Sequence, residues 1–79
     1  MNEVLLFTES ANARCYSLKE ELARHGIEFE EVDVGTPEGL ALAAFYECGR
    51  FPAVVIKTFS QDIVLLDPDV SEVLDALGK

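Results

Sequence analysis

Apolar residues run along this chain in short stretches whose spacing changes from one stretch to the next. Val4–Phe7 is a continuous apolar run with β-branched and aromatic content, short enough for a buried strand. After a polar turn, Ala11, Cys15, Leu18 and Leu22 recur at intervals of four, three and four. That spacing is one face of an α-helix, with Lys19, Glu20 and Arg24 on its other faces. Ser10 or Asn12 is placed to cap the start of this helix, and Gly26 supplies its stop. Residues 27–34, I-E-F-E-E-V-D-V, are rich in β formers and partly alternate, which predicts a second strand. The intervening helix is then the crossover that lets the second strand lie parallel to the first, a right-handed βαβ unit.

The pattern then repeats with different endings. Thr36 followed by Pro37 is a helix-start signal, and this helix is expected to run through Leu40, Ala43, Ala44 and Cys48 to Gly49. Pro52 stands immediately before a third strand, Ala53–Lys57. Residues 58–62 form a polar turn, and Ile63–Leu66 is a fourth strand. A connection this short, with no helix in it, favours an antiparallel hairpin. Asp67 or Asp69 begins a third helix, with Asp69 and Glu72 at capping-box spacing. Val70, Val73, Leu74 and Leu77 form its apolar stripe, and Gly78 ends it. The resulting order is βαβαββα: an α/β domain over residues 1–79, a four-stranded mixed sheet covered by three helices.

Charge narrows the function classes. Six basic against fifteen acidic residues give a net charge of −9, and the basic ones are scattered singly, so nucleic acid is excluded as a partner. The acidic excess is a solvated surface, and it would steer the chain towards basic partners. No apolar run is long enough to span a membrane, and no basic leader region precedes the first strand, so a cytoplasmic monomer is expected. Two cysteines in such a chain fit a reducing compartment without a structural disulfide, and no Cys/His spacing suggests a metal. The single histidine, His25, falls at a helix end, where it favours the helix dipole or caps carbonyls.

The element order, the turn E-S-A-N-A-R-C at 9–15 and the segment G-R-F-P-A-V-V-I at 49–56 together resemble the thioredoxin fold. More narrowly, they resemble a glutaredoxin. That likeness is closest over residues 4–34 and covers residues 3–57 well, the remainder by topology. Members of that family place Cys-Pro-Tyr-Cys, or a variant keeping the first cysteine, at this turn. In register those positions are Asn12, Ala13, Arg14 and Cys15. The resemblance therefore implies thiol–disulfide exchange, with the attacking position occupied by Asn12 and only the resolving position, Cys15, still a cysteine. It implies glutathione as a possible ligand, but the residues at its usual contacts are altered. Glu9 stands where a basic residue is common, Arg50-Phe51-Pro52 replaces Thr-Val-Pro, and Leu66-Asp67-Pro68-Asp69 replaces a Gly-Gly-Asp-like turn. No cofactor is therefore expected. The resemblance also implies a cis bond at Pro52, which would turn the Phe51 backbone towards the active-site turn to pair with an extended peptide.

Two functional readings follow. In the first, the chain is a redox-degenerate module whose groove binds a peptide or partner protein through Asn12, Ala13, Arg14, Arg50, Phe51 and Pro52. The alternative is an atypical single-cysteine oxidoreductase or electron carrier using Cys15 or Cys48. Helical register puts Cys15 on the face shared with Leu18 and Leu22, which predicts burial and an ordinary or raised pKa. Cys48 reads as structural or as a half-exposed thiol. The two come from helices expected on opposite sheet faces, so no Cys15–Cys48 disulfide is expected. Arg14 and Arg50 are expected to flank the groove, either as an anion-binding patch or as solvated side chains. Phe45, Tyr46 and Phe59 read as packing residues, with exposure the alternative for Phe59 in its polar turn, and Tyr16 as groove lining or helix surface.

Overall fold

A computed structural model of the chain describes residues 3–79, so the first two residues of the expected domain lie outside the described region. The elements are β1 (Glu3–Thr8), α1 (Ala13–Arg24), β2 (Glu30–Asp33), α2 (Pro37–Phe45), β3 (Ala53–Lys57), β4 (Asp62–Leu66) and α3 (Val70–Leu77). They form one four-stranded sheet in the order β2-β1-β3-β4. β1 runs parallel to β2 and antiparallel to β3, and β3 pairs antiparallel with β4. The expected βαβαββα order and the mixed sheet are therefore both present.

β1 and β3 are central and covered on both faces, which is why their sequences are unbroken apolar runs rather than alternating ones. Val4, Leu6, Val54 and Ile56 point to one face, where they pack with Leu18 and Leu22 of α1 and Val73 of α3. Leu5, Phe7, Ala53 and Val55 point to the other, where they pack with Ala43 of α2. Helix α2 approaches the sheet closely because it carries Gly39. A β-carbon there would overlap the Asp33 carbonyl oxygen at the end of β2.

The capping signals resolve cleanly. Asn12, not Ser10, caps α1; Thr36 caps α2, with Pro37 in its first turn; Asp69, not Asp67, caps α3 through a reciprocal capping box with Glu72. Strand ends shift by one residue in β1, β2 and β4; two larger differences from the sequence expectation fall after α1 and α2, and one motif accounts for both. At the end of α1, Gly26 takes φ +72°, and the Ile27 N–H donates back to the Leu22 carbonyl at 3.0 Å. At the end of α2, Glu47 takes φ +57°, and the Cys48 N–H donates back to the Ala43 carbonyl at 2.8 Å. Both are Schellman closures, in which the residue after the left-handed position folds back over the last turn. Ile27 is thus a buried helix-closing residue and not the start of β2, which begins only at Glu30. Helix α2 likewise stops at Phe45, not Gly49, and Cys48 lies beyond it.

Two apolar expectations also need correction. Leu40 and Phe45 are exposed rather than packed, because α2 seats on the sheet through Gly39 and Ala43; Phe59, in the β3–β4 turn, takes its exposed alternative. Tyr46 is the member of that aromatic set that packs, edge-on to Phe7 with ring centroids 6.2 Å apart.

The exposed Glu47 holds a left-handed conformation with a side chain, at a cost of about 1 kcal/mol relative to glycine. Glu47→Gly should therefore raise stability by about 0.5–1 kcal/mol in urea denaturation, the larger unfolded-state entropy of glycine offsetting part of the gain. Gly26→Ala should lower it by about 1 kcal/mol, since a β-carbon there meets no neighbouring atom and the penalty is purely conformational.

Candidate functional site

The turn between β1 and α1 is held by a single side chain. Ala11 takes φ +62°, and Asn12 follows in an extended conformation as the N-cap of α1. The Asn12 Oδ1 accepts from the backbone N–H of Arg14 at 3.0 Å and of Cys15 at 3.3 Å. Its Nδ2 donates to Glu9 Oε1 at 2.8 Å and, more weakly, to the Phe51 carbonyl at 3.4 Å. One amide thus uses both its acceptor and its donors to join the turn, the helix and the loop before β3. A carboxylate could cap the helix but would oppose Glu9; a hydroxyl could not make all four bonds.

Facing Asn12 is the loop that carries Phe51 and Pro52, joined by a cis peptide bond. Pro52 is fully buried, Phe51 packs on the α2 face of the core, and the Pro52 carbonyl accepts from the Asp67 N–H at 2.8 Å. Asp67 takes φ +50°, so left-handed residues bound the site on both sides, Ala11 before α1 and Asp67 before α3. Arg14 reaches across this gap. Its Nε meets Asp67 Oδ1 at 2.7 Å, and its guanidinium also donates to the Asp67 and Pro68 carbonyls at 3.5 and 3.4 Å. Arg14 is therefore committed to the β4–α3 turn. Arg50 is exposed in the loop before Pro52 and joins no ion pair among the described residues. Ala13 is exposed at the first position of α1.

Cys15 lies one turn into α1 and is only 3% exposed. Burial pushes its thiol pKa up, a backbone hydrogen bond with Glu9 opposes this, and the carboxylates of Glu9, Asp67 and Glu31 push it up further. Two helix N–H groups that could stabilise a thiolate, those of Arg14 and Cys15, are taken by the Asn12 side chain, and the Arg14 guanidinium is paired with Asp67. Cys48 is also buried, on the opposite face, and burial pushes its thiol up. Both cysteines are free.

Sequence reasoning placed Glu9 and Asp67 only as altered ligand contacts and missed their bonds to Asn12 and Arg14. The signal for Asp67 lay in Leu66-Asp67-Pro68-Asp69, since aspartate tolerates the left-handed region better than most residues. Also missed was a cleft of about 270 Å³ on the β2 side of the turn, between Thr8, Cys15, Tyr16, Lys19 and Glu31. Its floor is tied by Thr8 Oγ1 donating to Glu31 Oε2 at 2.9 Å and by Lys19 Nζ to Glu31 Oε1 at 2.8 Å. Lys19, then Thr8, hold the Glu31 carboxyl below its usual range. Among the described residues no group of three His, Cys, Asp or Glu side chains is placed to hold a metal, and no helix is long and apolar enough to cross a membrane.

No protein-family model and no curated protein matches this sequence. Solved structures do resemble it in three dimensions. The thioredoxin-like protein BC3987, in a point-mutant form, is 19% identical with a TM-score of 0.77, over 95% of this chain and 99% of that one. Thioredoxin Mala s 13 of Malassezia sympodialis is 17% identical with a TM-score of 0.78, over 98% and 74% of the two chains. Oxidised thioredoxin O2 of Arabidopsis thaliana is 15% identical with a TM-score of 0.77, over 100% and 76%. At these identities the likeness is one of architecture. This chain has the thioredoxin fold.

The buried, raised thiols make a kinetic and a pH prediction. At neutral pH iodoacetamide should modify Cys15 and Cys48 in the folded protein on the order of tenfold or more slowly than in the urea-unfolded chain. A raised folded-state pKa contributes stability fully below the usual thiol value near 9.0 and loses it as pH rises through the folded-state value. Stability against urea should therefore fall on the alkaline side of pH 9, and less so in Cys15→Ala.

Proposed function

We propose that this chain is a thioredoxin-superfamily protein of the glutaredoxin type with Asn12 at the attacking-cysteine position. In this reading it serves, in a reducing compartment, as a redox-degenerate module that binds an extended segment of a partner protein. The groove runs between Asn12–Cys15 and Arg50–Pro52. The observation that carries the reading is the Asn12 amide, fully engaged at the head of α1 where a thiolate would be needed, above a Cys15 that is 3% exposed. In-line attack on a disulfide needs an accessible thiolate, and neither cysteine offers one.

Peptide pairing needs much less. The Phe51 carbonyl carries two lone pairs, and its bond from Asn12 is long at 3.4 Å, so it can accept an N–H from an extended peptide. Ala13, at the start of α1, has no bulk and leaves the approach open. Arg14 contributes as a rim: its bond to Asp67 fixes one wall of the groove.

Three measurements test this. Turnover of a small glutathione mixed disulfide should stay at background for the unmodified chain, Cys15→Ser and Cys48→Ser alike; cysteine-dependent turnover would return the chain to the oxidoreductases. Peptides selected by display should perturb the amide resonances of Phe51 and Asn12, and binders that perturb only other regions would reject the groove. Asn12→Cys should also be alkylated on the order of tenfold faster than Cys15, because the new thiol gains two freed helix N–H groups and a less buried position. An inert thiol there would show that position 12 is not the family's attacking site.

A further inference from the structure

The two edges of the sheet are unlike. β2, at one edge, reads Glu30-Glu31-Val32-Asp33, three carboxylates in four residues. That is the charge protection that keeps an open edge from pairing with another chain. β4, at the other edge, reads Asp62-Ile63-Val64-Leu65-Leu66, with one charge at its start and no proline or lysine. Its faces are also unlike. Ile63 and Leu65 pack on the core shared by α1 and α3, but Val64 and Leu66 stand on the face covered only by α2 and remain 37% and 47% exposed.

The hydrogen-bond pattern fixes what this edge presents. The Thr58 N–H donates to the Gln61 carbonyl at 2.9 Å, and the Asp67 N–H to the Pro52 carbonyl at 2.8 Å. Both bonds continue the β3–β4 register, in which Val55 stands opposite Val64. Since bonded and non-bonded pairs alternate in an antiparallel ladder, Ile63 and Leu65 turn their N–H and C=O towards β3. Asp62, Val64 and Leu66 therefore turn theirs outwards. The exposed side chains and the unpaired backbone groups belong to the same residues.

We infer that β4 is a homotypic interface, pairing antiparallel with β4 of a second copy about a two-fold axis at Val64. That register places Val64 opposite Val64 of the second copy and Asp62 opposite its Leu66. The three outward residues are symmetric about Val64, so each finds both a donor and an acceptor. The single carboxylate meets an apolar residue rather than its own copy. Centring the axis on Asp62 would set like charges face to face, and centring it on Leu66 would leave most of the edge unpaired. The same register lays the β3–β4 turn, with its fully exposed Phe59, along the segment that begins α3 in the second copy. A second copy suits this edge better than a basic strand does, because the edge has no run of carboxylates to select one. The sheet then continues through eight strands, and the monomer expected from the sequence gives way to a dimer.

Sedimentation equilibrium on the full chain, from micromolar to millimolar concentration, tests this. The expected result is a monomer–dimer equilibrium with a dimer of twice the 8.7 kDa chain mass. Because each copy carries −9, the dimer should tighten between about 0.05 and 0.5 M NaCl as repulsion is screened. Val64→Lys should weaken it about tenfold or more by placing two cations on the axis. Val64→Pro should do the same by removing an outward N–H, leaving the β3 ladder and the circular dichroism spectrum intact. Under mild oxidation Val64→Cys should cross-link to a dimer and Asp62→Cys should not. A chain monomeric throughout, a dimer indifferent to both Val64 variants while they remain folded, or cross-linking of Asp62→Cys in preference to Val64→Cys would each overturn the interface.

Discussion

The Asn12 side-chain amide is where three segments of the chain are made to agree. It closes the α1 N-terminus by accepting from Arg14 and Cys15, pins the preceding turn through Glu9, and touches the Phe51 carbonyl across the gap. An N-cap alone contributes on the order of 1 kcal/mol. Here the same amide also fixes how far α1 stands from the loop before β3. The distance across the groove, the depth of Cys15 and the reach of Arg14 to Asp67 all follow from where α1 begins.

What keeps α1 and α2 seated on opposite faces is a shared way of stopping. Each ends in a left-handed residue followed by a buried one that folds back: Ile27 into the α1–α3 core, Cys48 into the α2 core. The hydrophobic contact in each closure, Ile27 over Leu22 and Cys48 over Ala43, joins the helix end to the layer it covers. Cys48 is thereby accounted for as a packing residue. A small apolar side chain is what the position needs, and a thiol is one. The α2 face carries one helix against two on the other, and this imbalance leaves β4 half covered.

Element types and their order were legible because they rest on period: continuous apolar runs for β1 and β3, a 3.6-residue repeat for α1, and cap residues at three helix starts. Boundaries were less legible. Ile27 and Cys48 are apolar, so periodicity adds them to the adjoining strand or helix, and only a backbone turn with positive φ removes them. Gly26 signalled that turn; Glu47 gave no such signal, because nothing in its chemistry favours the left-handed region. At the site, Asn12, Cys15, Phe51 and Pro52 were legible from local pattern and resemblance. Glu9 and Asp67 were not, because their roles depend on which residues reach across the gap. Phe45 misled because aromatic character argues for burial only where a second layer exists to receive it.

Electrostatics around position 12 bears on what kind of group the position accommodates. A thiolate is stabilised by free helix N–H groups and by nearby cations. Here Glu9 lies 2.8 Å from the Asn12 amide, Arg14 is paired with Asp67, and the field at Cys15 is set by the carboxylates of Glu9, Asp67 and Glu31. A negative charge on position 12 would face Glu9, whereas a neutral amide satisfies Glu9 and the helix end together. The surroundings of position 12 are therefore those of a hydrogen-bonding group that is both donor and acceptor.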